Sequence, residues 1–155
     1  MADYGISTLG VTLGYGIETT AGEKPSSFTQ LTRINDIGEI TVDPEEIDAS
    51  ALEDYETHYV PGRSAVSESV GVTVNMTDAT VTEWETLISA YSALTGGKKM
   101  WFEVITPGIT KAEFFVAAPP KVLPMAAKSQ NVLNTMVINL TVEDWKGLDT
   151  KVAFT

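Results

Sequence analysis

The side chains in this sequence that could do acid–base or metal chemistry are 21 carboxylates and one histidine, His58; cysteine is absent. That inventory excludes thiolate nucleophiles, thiolate metal sites and disulfide frameworks. A lone histidine has no second imidazole or thiolate to share a metal ion, and in a loop it reads as a surface residue rather than a catalyst. Carboxylate pairs suited to glycoside hydrolysis can be drawn from 21 acids almost at will, so such pairs single out nothing. No glycine-rich phosphate cradle precedes a helix. The residue types therefore point away from an enzyme and imply no cofactor.

The carboxylates are not spread evenly. Between Asp43 and Arg63 lie Asp43, Glu45, Glu46, Asp48, Glu53, Asp54 and Glu56, with no cation before Arg63. The segment lacks the alternating aspartates and central glycine of a calcium loop. It is also studded with Ile47, Leu52, Tyr55, Tyr59 and Val60, which a merely solvated connector does not need. A stretch this long without helix or strand period is expected to be a functional loop, loose in the free chain and ordered against a partner.

The elements that must carry this loop are mostly strands. Phe28–Ile34 and Glu39–Val42 read as strands around turn residues Asn35, Asp36 and Gly38, and Pro61-Gly62 reads as the turn that ends the acidic stretch. Val70, Val72, Val74 and Met76 alternate with Gly71, Thr73 and Asn75, the period of a half-buried strand. Met100–Ile105 and Ala112–Ala118 form a hairpin stopped by Pro119-Pro120, and Val132–Val142 is the last strand. Thr80–Leu94 is the one helix, with Trp84, Leu87, Ile88, Tyr91 and Leu94 on its core face, capping boxes at Thr80/Glu83 or Thr82/Glu85, and Gly96-Gly97 as the stop. The outward positions Thr73, Asn75, Asn139 and Thr141 are uncharged, as on many solvated sheet faces.

The sum is a mainly β fold, a β-sandwich or partial barrel of two packed sheets with one flanking α-helix. One domain, 28–142 with the loop 43–63, is expected between a flexible glycine-rich N-terminal arm, 1–27, and a C-terminal tail, 143–155. The N-terminus has no basic, apolar leader and no segment approaches a membrane span, so folding in the cytoplasm is expected. A net charge of −11 opposes gripping nucleic acid, whose phosphates need clustered cations. Charge alone is accounted for most simply by solubility, and it is compatible also with a surface that lets DNA pass without holding it.

The order of parts resembles a known family. GVTLGYG leads to a strand ending near INDIGEI, then PEEIDASALEDYETHYVPG, SVGVTVNM, the helix, WFEVITP, FFVAAPPKV and LNTMVINLTVED. The middle resembles the family most closely, in Asp48-Ala49-Ser50-Ala51-Leu52 and Tyr59-Val60-Pro61-Gly62. Together, over most of residues 9–145, they resemble the major tail tube protein of long non-contractile (siphovirus) phage tails. Tyr55, His58 and Arg63 depart from the family pattern.

The resemblance implies hexameric rings that stack into a tube within the virion, assembled in the host cytoplasm and bound to no membrane. The implied partners are further copies of the chain, a tape measure protein, a tail tip or initiator and a tail terminator, with double-stranded DNA passing through without specific binding. It places the loop between rings, so Ile47, Asp48, Leu52, Glu53, Asp54, Tyr55, Tyr59 and Val60 become candidate inter-ring contacts. Lys98, Lys99, Lys121 and Lys128 are the candidate cations for its carboxylates. The competing reading from the residues is a β-sandwich module for a carbohydrate or cell-surface ligand, with Trp101 or Trp145 as the aromatic platform.

Overall fold

The structure, a computed structural model, describes residues 5–155. In chain order the elements are β1 (Thr12–Ile17), β2 (Thr29–Leu31), β3 (Ile34–Ile37), β4 (Val42–Asp48), β5 (Tyr59–Val66), β6 (Ser69–Asn75), α1 (Asp78–Ser92), β7 (Met100–Ile105), β8 (Lys111–Ala118) and β9 (Thr135–Thr150). The fold is mainly β with a single helix. Seven strands make one antiparallel sheet in the order β2-β1-β7-β8-β9-β6-β3, and β4 and β5 pair only with each other.

The large sheet is curled. Its two edge strands, β2 and β3, are joined by Thr32 and Arg33 alone. Three virtual Cα bonds reach about 11 Å at most, so the outer edges nearly meet and the sheet takes the partial-barrel form. The expected continuous strand Phe28–Ile34 is therefore two strands on opposite edges. Arg33, at φ 56°, breaks it in the left-handed region. The Thr32 N–H and hydroxyl both donate to the Glu83 carboxylate of α1, at 3.1 and 2.8 Å, so the helix is tied to this seam.

The inner face of the barrel holds the main core. Leu13, Val70, Val72, Val74, Met100, Phe102, Phe115, Met136, Ile138 and Leu140 meet Trp84 and Leu87 of the helix there. The period-two pattern of β6 and of the first half of β9 produces this directly, because alternate residues share a face. α1 starts and ends two residues earlier than the sequence suggests. Thr77 is the N-cap, and the Thr80 hydroxyl, fully buried, closes the capping box in place of a glutamate. Gly96 and Gly97, both at positive φ, lie in the turn after Ser92.

Both expected termini of the domain move. The first four residues of the expected arm 1–27 lie outside the described residues. Within the rest, β1 is an interior strand between β2 and β7, extending well past the short strand read at Val11–Leu13. Its glycines, which suggested an irregular arm, make room. A Cβ on Gly14 would fall 2.3 Å from the Phe154 ring, and one on Gly16 would fall 2.6 Å from the Ser27 carbonyl oxygen.

The expected tail 143–155 is strand as far as Thr150. Two register shifts against β8 bend β9 so that its second half follows β8 beyond the end of β6. The chain then returns across the outer face, where Phe154 bridges Phe28 and covers Phe114 and Trp101 in a second apolar cluster. Among the described residues no helix is long and apolar enough to cross a membrane.

Candidate interaction site: the β4–β5 hairpin

The acidic stretch is a projecting hairpin rather than a loop without period. Ile47 pairs with Val60 and Asp48 with Tyr59, while a bulge in β5 at Gly62-Arg63, opposite Glu45, shifts the register nearer the base. Pro61-Gly62, expected as a turn, lies inside β5, and Pro44 inside β4. Both strands of a two-stranded ribbon have a free edge, so a proline whose missing N–H would face outward removes no ladder bond. Likewise Glu39–Thr41, expected in a strand, is an extended connector leading into β4.

Local hydrogen bonds hold the ribbon at both ends. At its base the Ser67 N–H donates to the Thr41 carbonyl at 3.1 Å, and the Thr41 N–H to the Ser67 hydroxyl at 2.8 Å. At its tip the Ala49 N–H donates to the His58 carbonyl at 2.8 Å, and the His58 N–H to the Ser50 hydroxyl at 2.7 Å. The Ala51 N–H donates to the Asp54 carboxylate at 2.7 Å. The Ser50 N–H, and then its hydroxyl, hold Asp48 below the usual carboxylate range. The single histidine contributes its backbone N–H and carbonyl to this turn.

What the hairpin lacks is cover. Every residue from 41 to 61 is exposed. Leu52 and Tyr55 at the tip are as open as in an extended chain, at 109 % and 103 %, and Val42, Ile47, Tyr59, Val60 and Val66 are also exposed. None of its seven carboxylates joins any of the three salt bridges found among the described residues. An isolated two-stranded ribbon is marginal in water. Burying Leu52 alone against a partner would contribute about 1.5–3 kcal/mol.

Of the helix residues, Trp84 and Leu87 are fully buried. Ile88, Tyr91 and Leu94 are half-buried and line a groove of about 710 Å³ beside the C-terminus of α1. Lys98, Lys99 and Lys121 line the same groove; Lys128 lies elsewhere, bonded to Asn134 and Met76. Within the groove Glu143 pairs with Lys99 at 3.2 Å and accepts from the Tyr91 hydroxyl at 3.5 Å. Burial first, then the Glu143 charge, raises the Tyr91 pKa. This gathering was invisible in the sequence, where Lys98 and Lys121 are far apart.

The aromatic platform does not form. Trp101 is buried, its indole N–H donating to Glu18 at 3.0 Å, and Trp145 is half-buried against the main core. Among the described residues no cluster of three His, Cys, Asp or Glu could hold a metal ion.

By sequence, no family model and no curated protein matches this chain. By fold, it is similar to a chain of the anti-feeding prophage (AFP) baseplate, seen by cryo-EM with 6-fold symmetrisation. The TM-score is 0.55 at 10 % identity, covering 94 % of this chain and 96 % of that one. It is similar also to a chain from the tail of an empty GTA particle, refined helically with C6 symmetry. There the TM-score is 0.55 at 15 % identity, over 91 % of this chain and 95 % of the other. Both likenesses span nearly the whole of each chain, so the fold is shared as a unit.

Proposed function

We propose that this chain is a structural subunit of a phage-type tail tube: it assembles into hexameric rings that stack around a channel for DNA. The observation that carries this reading is the uncovered hairpin. A projecting ribbon with seven exposed large apolar side chains and no salt bridge among the described residues has the composition of a surface that is completed by a partner. The fold likeness to chains of six-fold symmetric tail and baseplate particles supports that partner being further copies of the same chain. A projecting element received by a different surface on the next copy makes a head-to-tail contact. Such contacts close into rings by rotation or grow into filaments by translation.

In this reading the net charge of −11 disfavours DNA adhesion in the channel. The tape measure, initiator and terminator proteins set where the tube starts and stops. The hairpin couples successive rings, and the subunit acts by assembly rather than by catalysis.

The test is excision of the tip. Replacing Ser50–Thr57 with Asn-Gly between Ala49 and His58 closes the ribbon with a tight two-residue turn. The variant should remain a folded subunit and lose ring stacking, as read by negative-stain microscopy of concentrated protein. Tubes of normal length from the excised variant, or a wild type that stays monomeric at every concentration with initiator present, would refute the reading.

A further inference from the structure

The seven unpaired carboxylates of the hairpin raise the question of where their complement lies. The chain has only 10 cations, and Lys24, Lys99 and Lys146 already face carboxylates of their own chain. Three of the 10, Lys98, Lys99 and Lys121, gather in the groove beside the C-terminus of α1. Lys98 and Lys121 form no salt bridge among the described residues. Ile88, Leu94 and Pro120 give the groove an apolar wall beside polar Ser92, Thr95 and the Lys99-paired Glu143, and its volume of about 710 Å³ leaves ample room for two large side chains. A helix C-terminus carries only about half a negative charge, so three lysines exceed what it needs.

The hairpin tip has the opposite character in the same proportions. Leu52 and Tyr55 offer two fully exposed apolar side chains, and Glu53, Asp54 and Glu56 surround them with negative charge. The tip does not fill its own groove, since every tip residue is exposed and none lines it. We infer that the hairpin tip of one copy docks into the α1 groove of a second copy, Leu52 and Tyr55 entering against its apolar wall and the tip carboxylates facing Lys98 and Lys121. The inference rests on the reading of the chain as a self-assembling tube subunit and names the surface that receives the hairpin. The second acidic surface of the chain, the groove around Asp36, Glu39 and Glu113, would repel the same tip.

Charge exchange between two chains tests this. One chain carries Glu53→Lys and Asp54→Lys; the other carries Lys98→Glu and Lys121→Glu. All four positions are exposed, so both variants should fold as the wild type does. Each alone should fail to assemble in sedimentation velocity, because tip and groove then repel. An equimolar mixture should assemble, because each tip finds a complementary groove on the other chain. Assembly of the groove variant alone to the wild-type extent would overturn the inference. If the tip-excised chain still fails to assemble in that case, the subunit reading stands and the hairpin is received elsewhere. If the wild type never assembles, both fall together.

Discussion

At the scale of single residues, the two most informative positions are a glycine and a glutamate. Gly14 has no room for a side chain, with Phe154 and the Thr29 carbonyl oxygen 2.3 and 2.9 Å from where a Cβ would stand. Gly14→Ala should lose about 1–3 kcal/mol in urea denaturation. Combined with Phe154→Ala the loss should be smaller than the sum, because the ring that clashes is gone. Glu103 is fully buried in β7; its Oε2 accepts from the Val152 N–H at 2.9 Å and its Oε1 has no hydrogen-bond partner among the described residues. Burial raises its pKa above the usual 4.5, against the opposing pull of the Val152 N–H and the charges of Lys24 and Lys151. The folded chain therefore keeps this proton where the unfolded chain has lost it. The stability it contributes is full below 4.5 and is lost as pH rises through the folded pKa. Glu103→Gln should flatten that fall in denaturation midpoint above pH 4.5; parallel pH profiles for the two proteins would show that Glu103 is not its source. Neither role could be read from the sequence. A glycine-rich segment and one glutamate among 21 acids carry no mark of burial until the C-terminal segment crosses over them.

At the scale of elements, the hairpin and the C-terminal segment have opposite energetics. The ribbon's hydrogen bonds are its own, and no residue from 41 to 61 is buried against the barrel. Tip excision should therefore leave the thermal midpoint of the isolated subunit close to that of the wild type while abolishing stacking. A large drop in midpoint would show that the hairpin belongs to the core. The stretch was legible in the sequence by its charge and its apolar residues. Its strands were not, because a bulge at Gly62-Arg63 and prolines at 44 and 61 interrupt the alternation that marks a strand. The helix was legible by its 3.6-residue period. Its start was misplaced because Thr80 does at N3 what a glutamate usually does.

At the scale of the molecule, the C-terminal segment meets the segment that leads into β2. Phe28 and Phe154 form a parallel bridge, the Thr155 N–H donates to the Phe28 carbonyl at 2.9 Å, and Lys24 pairs with Asp149 at 3.4 Å. Removing Val152–Thr155 would expose the face of Phe114 and Trp101 and take away the one hydrogen bond to Glu103. That truncation should lower stability by about 2–4 kcal/mol, measured as a cooperative shift of the whole unfolding transition, and should increase binding of an apolar dye. An unchanged midpoint would show that the segment is only an appendage. The sequence by itself determined the mainly β class, the single helix, the absence of thiol chemistry and the position of the acidic, apolar-studded stretch, because these follow from composition and from periods of two and 3.6. Only the tertiary structure decided that the sheet curls until β2 and β3 nearly meet, that Thr12–Ile17 and the second half of Thr135–Thr150 are strands within it, and that Lys98 and Lys121 share a groove. These depend on contacts between residues far apart in the chain, and local pattern holds no record of them.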